Sequence, residues 1–182
     1  LTKNTTKSLV NVNDKTILEH QISIFKKLGI NNITVIIGPY SEQYHFENIS
    51  FIRDKKYMEH DILSSFMLAS SIMDDDVIVS YGDVIFDENI LKPLVDFNGL
   101  IGLGIDFGRE LKKSTNESIS SLKNSENVTI GEFVGLMRLS KNGCSVFTKT
   151  YEKIINTHTG KFHEADSIHN AYFTDMLQEL ID

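Results

Sequence analysis

The sequence predicts an α/β fold: a mainly parallel, mixed sheet covered by helices on both faces, a three-layer α/β/α sandwich. Three observations carry this expectation. Apolar runs of strand length alternate with stretches of helical periodicity along the chain. The strand-like runs are continuous β-branched segments such as "VIIG" and "VIVS", as expected of strands buried on both faces. Strand–helix–strand order requires crossover connections, and crossovers make parallel neighbours.

The elements follow in order. "NDKTILEHQISIFKKLGI" places Ile17, Leu18, Ile22, Phe25 and Leu28 at helical spacing, with Asn13 or Asp14 able to cap its start and Gly29 standing where a helix stops. "NITVIIG" reads as a buried strand closed by Gly38, and "ISFI" as a second short strand. "DILSSFMLASSIM" reads as a helix, "DVIVSYGD" as a third strand, "ENILKPLVDF" as a short helix and "GLIGLGID" as a Gly-spaced fourth strand. Between about residues 107 and 130 the chain turns polar and Ser/Asn/Lys-rich, as expected of an exposed excursion or mobile loop. Order returns at "IGEFVGLMRLS", a strand with two glycines, and "GCSVFTKTYEKIINTH" and "SIHNAYFTDMLQELID" read as amphipathic helices. Without a repeat, a low-complexity tract or a linker, residues 1–182 form one expected domain. Both ends read as cut from a larger unit, because the chain opens in loop and its last helix stops at Asp182 without a closing strand or Gly.

Composition narrows the function. A chain of 182 residues, 41% hydrophobic and 24% charged, is long enough for one real core and ordinary for a soluble globular protein. A net charge of -7 speaks against a reader of nucleic-acid backbones, so an anionic ligand must meet local cations, helix N-termini or a bound metal. Cys144 is the single cysteine, which excludes an internal disulfide and a thiolate metal cluster and reads as a small packed side chain. No apolar run approaches the roughly 20 residues that cross a bilayer, and no signal peptide is visible; a cytoplasmic protein without membrane contact is expected. The 6 histidines, His163 among them, show no i, i+4 metal spacing and read as structural or surface groups.

Asp83 asks for an explanation. In "VIVSYGDVIFDENIL" a carboxylate follows directly on the strongest predicted strand. Open α/β sheets gather ligands at the carboxyl ends of their strands, and the adjacent Gly82 lets a ligand approach the backbone. A carboxylate there can hold Mg²⁺, which prefers oxygen ligands and keeps waters and substrate phosphates. It can equally cap the turn into the next segment.

Further residues join Asp83 through a resemblance. "TKNTTKSLVNVNDKTILEHQISIFKKLGINNITVIIG" is similar to the amino-terminal signature of the nucleotidyltransferases that condense a nucleoside triphosphate with a phosphorylated or phosphonylated substrate. Thr6-Lys7-Ser8-Leu9 stands for the family's Pro-Lys-x-Leu, and Lys15-Thr16-Ile17-Leu18-Glu19 for its helix start. Gly38 and Tyr40 match its strand end, "YMEHDILSSFMLA" its Y-x-E-T-N-x-x-x-[ST]-L segment with His60-Asp61 in place of Thr-Asn, and "YGD" its metal-binding strand. "IGLGIDFGR", "GEFVGLMRLSKNG" and "FHEADSIHNAYFTDMLQELID" resemble the phosphonate cytidylyltransferases found fused to or beside phosphoenolpyruvate mutases. The family's Gly-rich phosphate loop is expected upstream of Leu1, and its second metal carboxylate beyond Asp182.

The resemblance implies a Rossmann-like domain of nucleotidyltransferase type that joins CMP from CTP to a small phosphonate, such as 2-aminoethylphosphonate, and releases pyrophosphate. It assigns Lys7 to the triphosphate and Asp83 to catalytic Mg²⁺, with Ser65 and Gly82 as further nucleotide contacts. Asp106, ending the strand after Asp83's on the same sheet edge, and Glu132 and Glu164, in subgroup-specific segments, become acceptor-binding candidates. Asp175 reads as a mid-helix charge. A phosphoenolpyruvate mutase domain is the implied fusion partner, and a homo-oligomer is compatible with the family. Phosphocholine or sugar-phosphate transfer is the nearest alternative. A receiver-like or other nucleotide-binding α/β domain is the non-enzymatic one, although the acidic pair and late lysine of a receiver are not visible. A glycosyltransferase would end a strand in Asp-x-Asp, whereas "DDD" at 74–76 precedes one.

Overall fold

The computed structural model describes residues 4–107, 118–119 and 131–182. The polar stretch expected as an excursion lies mostly outside these residues. A short hairpin comes first: β1 (Asn11–Val12) pairs antiparallel with β2 (Lys15–Thr16). Asn13 and Asp14 form its turn at φ 49° and 67°, the left-handed region that Asn and Asp tolerate best. They therefore do not cap α1 (Ile17–Lys27), as the sequence suggested. Thr16 does: its hydroxyl accepts from the Glu19 N–H while the Glu19 carboxylate accepts from the Thr16 N–H, a reciprocal capping box. Gly29, at φ +82°, ends the helix as expected.

β3 (Thr34–Ile37) and β4 (Ser50–Arg53) form a parallel pair in register from Thr34 opposite Ser50 to Ile37 opposite Arg53. α2 (Ile62–Met67) is shorter than its apolar pattern, which continues into a 3₁₀ turn at Ser70–Ile72. β5 (Val77–Ser80), α3 (Glu88–Val95) and β6 (Ile101–Asp106) follow. The two residues of β7 (Ser118–Ile119) and then β8 (Gly131–Leu139) complete the strands, and α4 (Lys141–Thr157) and α5 (Phe173–Ile181) the helices. β8 lies between β5 and β6 and runs antiparallel to both, with Met137 opposite Val79 on one side and Leu103 on the other. β5 and β6 are thus parallel to each other and end at the same edge. Every ladder of this sheet is antiparallel because β8 is inserted between β5 and β6, while the parallel β3–β4 pair forms a sheet of its own; strand direction is not written in apolar runs, so the sequence did not place β8 there.

Alternation along the strands builds the three layers. Val77, Val79, Leu103, Ile105, Phe133, Met137 and Leu139 face a core shared with α2, α4 and α5, where Phe66, Phe147, Phe173 and Met176 pack. Ile78, Val134 and Leu136 face a second core made with α1 and α3 through Phe25, Leu91 and Leu94. Gly102 and Gly104 keep the second face of β6 low, beneath Leu94, Phe97 and Leu136. Burying Phe147 and Phe173, at 0% and 1% exposure, contributes about 2–3 kcal/mol each. Two helical layers around a sheet thus hold the carboxyl ends of β5 and β6 rigidly at one rim, which is where the candidate residues lie.

Candidate active site

The first pair of candidates comes together across 76 positions of sequence. Lys7 opens a 3₁₀ turn (Lys7–Leu9), and its Nζ donates to Oδ2 of Asp83 at 3.0 Å. Asp83 lies in the turn after β5 beside Gly82. The pair is exposed, 73% for Lys7 and 39% for Asp83, so it contributes no more than about 1 kcal/mol to the fold. A cation and an anion are held at a strand end with open solvent on one side, a placement that serves a charged ligand better than it serves stability. Ser8 is the neighbour of Gly82: a Cβ on Gly82 would stand 3.5 Å from Cβ of Ser8, ordinary contact, so packing alone does not demand glycine here.

Tyr44 organises the lysine turn. Its hydroxyl lies 2.7 Å from Oγ1 of Thr6 and 2.8 Å from Oγ of Ser8, the two residues that flank Lys7. This role is not legible in the sequence, because a tyrosine in the polar "SEQYHF" stretch carries no periodic signal.

Ser65, the second nucleotide candidate, is engaged inside the protein. Its hydroxyl donates to Oδ2 of Asp54 at 2.6 Å, and the same oxygen accepts from Nε2 of His60 at 2.8 Å. Oδ1 of Asp54 accepts from the Lys56 N–H at 2.9 Å. Asp54 is 3% exposed; burial alone would raise its pKa, but the hydrogen bonds from Ser65, His60 and Lys56 overcome this and hold it below the ordinary carboxylate range. His60, which replaces the threonine of the resembled segment, thereby fixes the 54–61 connection onto α2. This network borders a pocket of about 590 Å³ at the carboxyl ends of β3 and β4, lined by Tyr40, Arg53, Lys55 and Tyr57. Two aromatic rings and two cations there suit a phosphorylated or aromatic ligand.

The acidic candidates fall into two groups. Asp106 and Glu132 are directly opposed in the β6–β8 register, at the same sheet edge beyond which Asp83 lies. Glu164 lines a shallow pocket of about 250 Å³ with Asp61, Asp166, Asn170, Tyr172 and Asp175. Asp175 is buried, not an exposed mid-helix charge: its carboxylate accepts from the N–H groups of Tyr172 and Glu164, capping α5 and pinning the segment before it. A stack of Tyr81 on Phe173, centroids 5.7 Å apart at 26°, joins this pocket to the Asp83 turn, since Tyr81 precedes Gly82 and Phe173 follows Tyr172. Among the described residues, no cluster of three or more His, Cys, Asp or Glu side chains forms a ready metal site. None of the described helices is long and apolar enough to cross a membrane.

No protein-family model matches the chain. The chain is 24% identical to a CTP:phosphoglutamine cytidylyltransferase of Campylobacter jejuni over an alignment covering 100% of this chain and 82% of the relative. It is 29% identical to a choline-phosphate cytidylyltransferase of Streptococcus pneumoniae over 47% of this chain and 39% of that protein. A 2-aminoethylphosphonate cytidylyltransferase of Lancefieldella rimae is 24% identical over 94% of this chain and 67% of its own length. In structure the chain is similar to a CTP:phosphocholine cytidylyltransferase from Streptococcus pneumoniae, with a TM-score of 0.61 and 17% identity, covering 98% of this chain and 77% of the other. A Bacillus anthracis structure assigned as a glucose-1-phosphate thymidylyltransferase aligns with a TM-score of 0.63 at 14% identity, covering 98% and 75%. The fold is that of a nucleotidyltransferase.

Proposed function

We propose that this chain, a member of the nucleotidyltransferase superfamily, is a cytidylyltransferase that joins CMP from CTP to a small phosphonate or phosphate carrying an amino group. The observation that carries this reading is the Lys7–Asp83 pair at the end of β5, in a chain whose full-length likeness is to cytidylyltransferases. Nucleophile and electrophile are both anionic in such a transfer, so catalysis consists chiefly of neutralisation and in-line positioning. The acceptor oxygen is already ionised at neutral pH, and no general base is required. Lys7 places an ammonium against the triphosphate and leaves Asp83 when the nucleotide arrives. Asp83 then offers a half-exposed carboxylate to a cation.

Magnesium fits this donor set on chemical grounds. The ion is commonly held by one or two carboxylates and completes its octahedron with water and substrate phosphates, so Asp83 alone is a sufficient protein anchor. When bound, Mg²⁺ supplies Lewis-acid neutralisation of the phosphates. Ser65, with its proton given to Asp54, has lone pairs to offer a nucleotide donor group.

The Glu164 pocket is our candidate seat for the acceptor's amine. Its lining holds the carboxylates of Asp61, Glu164, Asp166 and Asp175 but one aromatic ring, Tyr172. A primary ammonium can donate to these carboxylates, whereas a quaternary ammonium has no proton to donate and is recognised best by aromatic faces. The composition therefore weighs toward an aminoalkylphosphonate. Phosphocholine is the second reading, favoured by the two choline-phosphate relatives.

The test is pyrophosphate release by the full-length protein from CTP, UTP, dTTP or ATP, with 2-aminoethylphosphonate, phosphocholine or glucose 1-phosphate as acceptor. CTP with an amine-bearing acceptor is expected to be fastest. A clear preference for dTTP with the sugar phosphate would overturn the proposal, and preference for phosphocholine would replace the first acceptor by the second.

A further inference from the structure

Gln21 is a polar side chain in a place where packing would accept a leucine. It lies on the sheet-facing stripe of α1 with Leu18, Ile22 and Phe25, and it is 4% exposed. Its Nε2 donates one hydrogen to the Tyr81 carbonyl at 2.7 Å and the other to the Val84 carbonyl at 2.6 Å. Those two carbonyls bracket Gly82 and Asp83. Both are acceptors, so only the amide NH₂ can face them, and its planar fork fixes their separation and direction together. A turn three residues past the last strand residue, Ser80, is thereby tied to a helix as well as to the sheet, where the Tyr81 N–H donates to the Gly135 carbonyl at 2.8 Å.

We infer that Gln21 is a positioning residue for the reaction: it sets the backbone of the 81–84 turn so that the Asp83 carboxylate stands at a fixed place opposite Lys7. The inference rests on the proposed role of Asp83. An exposed carboxylate on an untethered turn would sample many positions and anchor a cation poorly, and misplacement of a charged group by about 1 Å costs on the order of a hundredfold in rate. Two donors aimed at the two ends of one dipeptide do what a single hydrogen bond does not: they stop the turn from rocking about either peptide. The Ser80 hydroxyl donates to the Tyr81 carbonyl as well, at 3.1 Å.

The experiment is Gln21→Met in the full-length protein, which keeps length and burial and removes both donors. Gln21→Asn, shorter by one methylene, serves as a second variant should the first fail to fold. Hydrogen exchange by mass spectrometry, without nucleotide or metal, reports the turn through the Tyr81 amide, whose hydrogen bond to the Gly135 carbonyl loosens if the turn rocks. Exchange there is expected to rise at least about tenfold, with α1 and the centre of β8 protected as before. Turnover with CTP is expected to fall about tenfold or more while KM for CTP changes little, and Gln21→Met is expected to add nothing to Asp83→Asn in the double variant, as befits two residues acting as one unit. Unchanged exchange at 81–84 overturns the tether. A loosened turn with full turnover, or losses that multiply in the double variant, overturns the positioning role. Absence of turnover in the unmodified protein with every acceptor would refute the functional reading instead, and the exchange result would still decide whether Gln21 fixes the turn.

Discussion

Gly135→Ala probes how the sheet supports the Asp83 turn. Gly135 interrupts β8 at φ +75°, and its carbonyl accepts the Tyr81 N–H at 2.8 Å. A Cβ at this position would stand 2.5 Å from Cδ2, 2.6 Å from Cγ and 2.9 Å from Cβ of Tyr81. These are the ring base and the root of the side chain, so the far end of Tyr81 cannot yield to make room. The ring is also held by Phe173, stacked at 5.7 Å, and by Phe133, edge-on at 5.8 Å. A left-handed conformation costs an alanine roughly 1–2 kcal/mol. Overpacking against a fixed ring adds roughly 1–3 kcal/mol. A total of about 3 kcal/mol corresponds to a fall in Tm of roughly 6–12 °C for a domain of this size. Calorimetry and urea unfolding measure it. A loss below about 1 kcal/mol would show that Tyr81 moves freely, and with it that the Asp83 turn is not braced from β8.

Two further outcomes follow from buried ionisable groups. The Asp54 pKa is held down in the folded protein, so its charge stabilises the fold above the unfolded value near 3.9 and that contribution fades as pH falls through the lower folded value. Asp54→Asn should thus destabilise by about 1–3 kcal/mol at pH 7, and by less below about pH 4, in urea titrations at the two pH values; an equal loss at both would refute the charged state. The Cys144 thiol, raised to about 11 by burial and by the nearby Asp76, should resist iodoacetamide in the native protein at pH 8 and react once unfolded. Because the thiol holds its proton to a higher pH in the folded state than in the unfolded one, its contribution is full below the unfolded value and is lost as pH climbs toward 11. Rapid native labelling would contradict the packing of α4.

The layers were legible because periodicity is local. The stripe Leu18, Ile22, Phe25 named the buried face of α1, and "VIVSYGD" named the strand that presents Asp83. Pairing direction was not legible: nothing in "GEFVGLMRL" distinguishes a parallel neighbour from the antiparallel insertion between β5 and β6 that the structure contains. Helix ends followed the cap chemistry, which selected Thr16 over Asn13 and Asp14 because a hairpin turn claimed the latter two. Within the site, motif order brought Lys7 and Asp83 forward, and they meet in the fold. Asp54, Tyr44 and Gln21 stayed hidden. Each acts through at least one contact to a residue 11 or more positions away, and such contacts leave no spacing in the sequence. A buried glutamine inside an apolar helical stripe was the one visible clue, a polar residue where the pattern called for none.

The central claim is that Asp83 holds a cation against two anionic reactants. It is tested most directly by Asp83→Asn in the full-length protein, with turnover followed across a Mg²⁺ titration and thermal unfolding recorded beside it. The exposed pair with Lys7 contributes little to stability, so Tm should move by no more than about 2–4 °C. Turnover should fall by roughly a hundredfold or more, the rate equivalent of about 2.7 kcal/mol of lost transition-state stabilisation, and rise only partly at high Mg²⁺. A folded variant with near-normal turnover at low Mg²⁺ would reduce Asp83 to a turn residue and contradict the account.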